Sequence, residues 1–277
     1  MPYKVSLILL VLLVGCQNTT PKKETHQKPK QVAVQEKKVR LEDTTLLITG
    51  SDSILIAKKK VVEDYDRQWS VISYSFYNEN IALAKWQMAI NRFIRKSLYR
   101  QEEAKEYNEP LSKKLIRKVL QAFKKEARRY EDDMSMTWNI SENYQINDAF
   151  QTFAVLKMES SLYTGGAHGS YGVGYYYFDK SSAKELHLKD FIDTKKDLLR
   201  TAELVFRKKV GLKATTPFEE TDFWFSEGFY LSDNFEITDQ GLTFYYNPYE
   251  ISSYANGMIE FSLTRAQIAP YLKRKID

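Results

Sequence analysis

Apolar residues recur along this chain with two periods, and the breaks between them set out its organisation. An apolar stretch from Val5 to Val14, interrupted only by Ser6, follows Lys4 and ends at Gly15-Cys16, too short to cross a bilayer comfortably. From Gln17 to Arg40 apolar positions nearly vanish among Lys, Gln, Thr and two prolines, the signature of a disordered tether. Thr44–Thr49 and Ser53–Ala57, separated by Gly50-Ser51-Asp52, read as a small hairpin. Trp69–Tyr77 alternates, with Ile72, Tyr74 and Phe76 on one face, which predicts a half-buried strand.

Helical spacing then takes over. Asn80 is placed to cap a helix carrying Trp86, Ile90, Phe93 and Ser97 and ending near Leu98. A second helix is predicted from about Pro110, with Leu111, Leu115, Val119, Phe123, Ala127 and Tyr130 inward and a crowd of Lys and Arg outward. Alternation returns at Phe153–Tyr163 and at the glycine- and tyrosine-rich Tyr171–Phe178, and Asp179–Ser182 turns the chain. Leu198, Leu199, Ala202, Val205, Phe206 and Val210 define a helix starting at Asp193 or Thr194, which Gly211 is placed to stop. Phe235–Thr238 and Leu242–Tyr246 flank Asp239-Gln240-Gly241 as a hairpin. Met258–Leu263 reads as a strand, and Thr264 caps a short helix through Ala269.

Strands and helices in this order, without strict βαβ alternation, predict an α+β fold with antiparallel sheet packed against helices. The organisation expected is a signal peptide at 1–15, a basic tether at 16–40, a short hairpin or linker at 41–62, and two intertwined α+β subdomains at 63–172 and 173–277.

Charge changes the picture once it is located. The formal net charge of +5 arises in residues 17–40, which hold seven basic and two acidic residues. With Lys4 also set aside, 33 of the 41 Lys and Arg remain, against 34 of the 36 Asp and Glu, so the folded part is about neutral and nucleic acid is not an expected partner. Cys16 is the only cysteine, so no disulfide, thiol nucleophile or thiolate ligand set is available beyond it. Its position after Leu13-Val14-Gly15 resembles the bacterial lipobox, in which the cysteine sulfur is diacylglycerylated and the cysteine becomes the first mature residue. The alternative is a plain signal peptide with an incidental cysteine. The lipid reading predicts an extracytoplasmic, membrane-anchored lipoprotein, and Gln17 after the cysteine leans it toward the outer membrane.

Candidate chemistry is sparse. The densest glycine segment, Leu162–Gly172, offers either a loop presenting His168 and backbone amides to a ligand or a tight bulged crossing, and bulges are the commoner use of strand glycine. His168–Gly172 imitates a nucleophile elbow imperfectly, since a histidine stands where the leading glycine is required. Three histidines, His26, His168 and His187, give no paired zinc-ligand spacing, and no phosphate-binding glycine loop with its lysine is present. No metal or cofactor is expected. Glu131-Asp132-Asp133 reads as a solvated helix end. Glu219, Glu220 and Asp222 beside Phe223-Trp224-Phe225 would serve a carboxylate-dependent glycan hydrolase or modifying enzyme, or are surface acids over core aromatics.

Four stretches together resemble a known family. Tyr163–Gly169, Tyr175–Asp179, Leu186–Phe191 and Gly241–Ile251 look like the paired domains of RsiV-type lysozyme-sensing anti-sigma factors, which also precede the catalytic domain of PdaC-type peptidoglycan deacetylases. The resemblance spans about Glu63 to Leu272, and its sharpest signatures are Tyr-Thr-Gly-Gly-Ala-His-Gly and Asn-Pro-Tyr-Glu-Ile followed by Tyr254-Ala255-Asn256-Gly257. Those signatures mark a fold and carry no known catalytic residues. Neither the sigma-binding segment nor the metal-dependent catalytic domain is recognisable in this chain. The resemblance therefore implies the extracytoplasmic module alone, binding or sensing peptidoglycan-type glycan or a lysozyme-like protein, with no enzymatic activity carried over and the carboxylate-dependent enzyme kept as the alternative. The ligand-binding candidates it suggests are Tyr163, Gly165, Gly166, His168, Tyr171, Pro248, Tyr249 and Glu250.

Overall fold

The computed structural model describes residues 46–48, 54–59, 69–77, 82–99, 138–164 and 166–276. The signal, the tether, the helix expected from Pro110 and its acidic end lie outside the described residues, as do Asn80, Gly165 and Cys16.

Seven strands form one sheet in chain order: β1 (Leu46–Ile48), β2 (Ile54–Lys59), β3 (Trp69–Tyr77), β4 (Trp138–Asn147), β5 (Phe153–Thr164), β6 (Ser170–Asp179) and β7 (Glu185–Leu186). Three more, β8 (Phe235–Thr238), β9 (Gly241–Tyr246) and β10 (Ile259–Thr264), make a small antiparallel sheet. The described helices are α1 (Lys85–Tyr99), α2 (Leu188–Phe191), α3 (Lys196–Lys209) and α4 (Arg265–Ile268). The α+β class holds, with antiparallel sheet dominant. One departure is the parallel pairing of β3 with β4, in register from Trp69↔Asn139 to Tyr74↔Tyr144. A parallel pair requires a long crossover. The chain between Tyr77 and Trp138 provides it, and its described helix α1 packs on β3 and β6.

Alternation along β5 and β6 sends side chains to two different cores rather than to one core and solvent. Phe153, Val155, Val173, Tyr175 and Tyr177 join the core shared with α2, α3 and the small sheet. Ala154, Leu156, Met158, Tyr176 and Phe178 join a second core with Tyr144, Phe76, Tyr77 and the α1 residues Ile90 and Ile94. The strand read as half-buried at Trp69–Tyr77 therefore ends in two consecutive buried rings, Phe76 and Tyr77. The subdomain division read after residue 172 lies within β6.

The first core is aromatic. Phe206 of α3 lies within ring-contact distance of Phe218, Phe223, Phe225, Phe229, Tyr246 and Phe261. Each edge-to-face pair adds about 0.5–1.5 kcal/mol beyond burial. Past α3, Gly211 adopts φ 76° and the Leu212 amide returns to the Arg207 carbonyl, closing the helix as the sequence predicted. Thr264 caps α4 through the Gln267 amide, and the Gln267 side chain returns to the Thr264 amide.

Asparagine side chains complete strands where no neighbour strand runs. Asn91 on α1 accepts from the Tyr77 amide at 2.9 Å and donates to the Tyr77 carbonyl at 2.8 Å. On β6, Asn247 accepts from the Val173 amide at 2.9 Å and donates to its carbonyl at 3.0 Å. Asn234 accepts from the Tyr175 amide at 3.0 Å and donates to that same Val173 carbonyl at 2.8 Å. A carboxamide has the donor and acceptor of a peptide group, so these residues satisfy backbone that burial would otherwise leave unpaired. Asn234 and Asn247 also fasten the small sheet to β6.

Candidate functional site

The β5–β6 hairpin loop and the segment after β9 meet at one patch of exposed rings. Tyr163 begins the loop and its hydroxyl donates to the Gly166 carbonyl at 2.9 Å. Gly166 has φ 90°, a backbone state that disfavours any side chain. At Gly169 a Cβ would stand 2.8 Å from the Leu162 carbonyl oxygen, so the loop closes tightly against β5. Much of the glycine density is thus structural, and it serves to turn His168 outward.

His168 is exposed and held from three sides. Its Nδ1 lies 2.9 Å from the Gly169 carbonyl, which can only accept, so Nδ1 carries the proton. In the neutral ring Nε2 then accepts from the Tyr249 hydroxyl at 3.0 Å. The imidazole stacks on Tyr254 with centroids 3.8 Å apart and planes 13° from parallel. Tyr171 meets Tyr254 edge-on at 5.8 Å, and Tyr249 lies tilted at 5.7 Å. Partial burial, then the neighbouring Tyr171 and Tyr249, raise the Tyr254 hydroxyl above its ordinary pKa. Gly257, at φ 66°, leaves room for the Tyr171 hydroxyl, which would lie 3.2 Å from a Cβ there.

The turn that delivers Tyr249 runs from Asn247 to Glu250. The Glu250 amide donates to the Asn247 carbonyl, and the Asn247 amide donates to the Glu250 carboxylate at 2.9 Å. Pro248 occupies the second turn position and Tyr249 the third, at φ 68°, where a type II turn prefers glycine. Tyr249 is nevertheless 56% exposed. Burial raises the Glu250 pKa, against the opposing hydrogen bonds from Asn247 and Ser232. Its carboxylate is spent on the turn.

Of the ligand-binding candidates, His168, Tyr171 and Tyr249 come together in the patch. Tyr163 and Gly166 shape its loop, Pro248 and Glu250 shape its turn, and Gly165 is outside the described residues. Tyr254 is the ring the candidate set missed, although it opens the signature stretch Tyr254–Gly257; an aromatic followed closely by a glycine was the available signal. Glu219 and Glu220 are exposed on the turn Phe218–Glu220 and Asp222 is exposed just beyond it, while Phe218 and Phe225 are core and Trp224 is 51% exposed. His187 pairs instead with Asp233, at 2.7 Å. Among the described residues no group of three or more His, Cys, Asp or Glu could hold a metal ion. No described helix is long and apolar enough to cross a membrane.

What the arrangement offers is an open surface of hydroxyl-tipped rings on an α+β scaffold. Residues 186–266 match the model of the family described as Protein of unknown function (DUF3298). That segment contains Asn247–Ile251 and Tyr254–Gly257, and Tyr163–Gly169 precedes it. A crystal structure of a DUF3298 family member from Bacteroides fragilis has a TM-score of 0.58 and 20% identity, covering 74% of this chain and 85% of that one. A DUF3298 family protein from Pseudomonas aeruginosa has a TM-score of 0.51 and 17% identity, covering 84% of this chain and 97% of that one. At such identities the likeness establishes the fold. No curated protein matches the chain.

Proposed function

We propose that this protein is a bacterial cell-envelope lipoprotein, anchored through Cys16 in the outer membrane, that binds or senses peptidoglycan-type glycan or a lysozyme-like wall-acting protein. The observation that carries the reading is the meeting of the two signature segments in the patch of His168, Tyr171, Tyr249 and Tyr254. Aromatic rings with polar tips suit a surface that must contact apolar and hydroxylated groups together. Tyr249 strengthens the case, because a non-glycine residue at positive φ stores strain of a kind that clusters at functional sites. The resemblance of these segments to lysozyme-sensing and deacetylase-associated modules points the same way.

The full-length lipoprotein in detergent, incubated with purified peptidoglycan and separately with lysozyme, tests the reading. Saturable binding to one of them without release of muropeptides is expected, and it should weaken on Tyr254→Ala. Muropeptide release abolished by Glu219→Gln or Glu220→Gln would refute the binding reading in favour of an enzyme, and binding to neither ligand would also refute it. Cys16→Ala should move the protein out of the membrane fraction and stop incorporation of labelled palmitate; unchanged labelling would refute the lipid anchor.

A further inference from the structure

A second exposed ring stands close to the patch. The Trp224 amide donates to the Ile251 carbonyl at 2.8 Å, and Ile251 is two residues beyond Tyr249. Two residues reach at most about 7 Å, and backbones joined by such a bond run about 5 Å apart. The Cα atoms of Trp224 and Tyr249 are therefore within roughly 12 Å of each other. Both side chains are more than half exposed, at 51% and 56%. Phe223 and Phe225, on either side, are drawn into the aromatic core, so Trp224 is pinned at its base while its indole stays in water.

We infer that Trp224 is a further binding residue, and that with the His168–Tyr171–Tyr249–Tyr254 patch it takes a glycan chain longer than one sugar; this rests on the binding reading above. The chemistry favours glycan over a protein surface. A pyranose presents one face of C–H groups, which suits the electron-rich face of an aromatic ring, and a rim of hydroxyls, which suits phenol and imidazole. The contacts that hold the patch together join phenol and imidazole rings and a backbone carbonyl, with no carboxylate, lysine or arginine side chain among them, in keeping with an uncharged ligand. A protein partner needs about 800 Å² on each side, whereas partly exposed rings of 150–250 Å² each supply only a few hundred. Two separate ring platforms whose backbones lie within roughly 12 Å of each other suit a short oligosaccharide rather than a monosaccharide.

The test uses the full-length lipoprotein in detergent and N-acetylglucosamine oligomers of increasing length, with affinity measured by calorimetry and melting temperature recorded for each variant. Affinity should rise with oligomer length in the unaltered protein. Trp224→Ala should remove that rise, a loss of roughly tenfold for the longest oligomer, while leaving short-oligomer affinity and melting temperature unchanged; Tyr254→Ala should weaken all lengths. If Trp224→Ala bound the longest oligomer as tightly as the unaltered protein, the role of Trp224 would be overturned and the binding reading would stand. Binding of lysozyme with no oligomer bound would overturn the glycan class alone. Failure to bind oligomers, peptidoglycan and lysozyme alike would overturn the binding reading itself.

Discussion

Replacing Asn247 with alanine removes two hydrogen bonds to Val173, and the cost is asymmetric. The Val173 carbonyl keeps a partner in Asn234, whereas its amide, on a residue only 7% exposed, has Asn247 as its acceptor. An orphaned buried donor costs about 1–3 kcal/mol and the other lost bond about 1 kcal/mol, giving about 2–4 kcal/mol. For a domain of this size each kcal/mol lowers Tm by about 2–4 °C, so a fall of roughly 5–15 °C is expected in calorimetry. Asn247→Asp keeps the acceptor but sets a carboxylate oxygen against the Val173 carbonyl and a charge beside Glu250, so it should remain destabilised. Asn234→Ala orphans the Tyr175 amide in the same way, and the double variant should be non-additive because both amides share the Val173 carbonyl. Hydrogen exchange at the Val173 amide should quicken in Asn247→Ala. A Tm within about 1 °C of the unaltered protein, with exchange unchanged, would refute the view that the carboxamides stand in for a missing strand.

Three other outcomes are expected. Gly241→Ala should prevent folding or cost more than about 4 kcal/mol, because its Cβ would lie 2.0 Å from the Leu263 carbonyl oxygen, whereas Gly166→Ala meets open space and should cost only about 1–2 kcal/mol of strain; thermal melts compare them. Tyr249→Gly should keep stability within about 1 kcal/mol, since relief at φ 68° offsets lost ring contacts and greater chain entropy, yet abolish ligand binding. Asp179 is pushed up by burial, but hydrogen bonds from Ser181 and Ser182 and the Arg274 guanidinium at 2.9 Å more than offset this, leaving its pKa well below the carboxylate range. Its stabilising contribution is present above the unfolded value near pH 4 and is lost as pH falls through the folded one, so Asp179→Asn should flatten the acid limb of a stability–pH curve.

Local rules were legible wherever the pattern and its cause lay in one stretch. Trp69–Tyr77, the Asp239-Gln240 hairpin, the Gly211 stop and the Thr264 cap all follow from neighbours within a few residues. The parallel partner of β3 did not, because register is decided by what covers both sheet faces rather than by either strand alone. For the same reason alternation was read as one wet face where the sheet has a core on each side. The carboxamides of Asn234 and Asn247 reach backbone 59 to 74 positions away, and nothing near them in sequence distinguishes them from turn asparagines. Half the site was visible as two unusual motifs; that His168 and Tyr249, 81 positions apart, touch was not.

Because β6 is the wall between both cores, neither can melt by itself: freeing Tyr177 from one withdraws Tyr176 and Phe178 from the other. A protease meeting the native protein should therefore find no folded half to release by cutting beside that strand. A ligand that grips the hairpin loop and the turn after β9 would tighten the same wall at its rim, and so register as a rise in the melting point of the whole described fold rather than of one part.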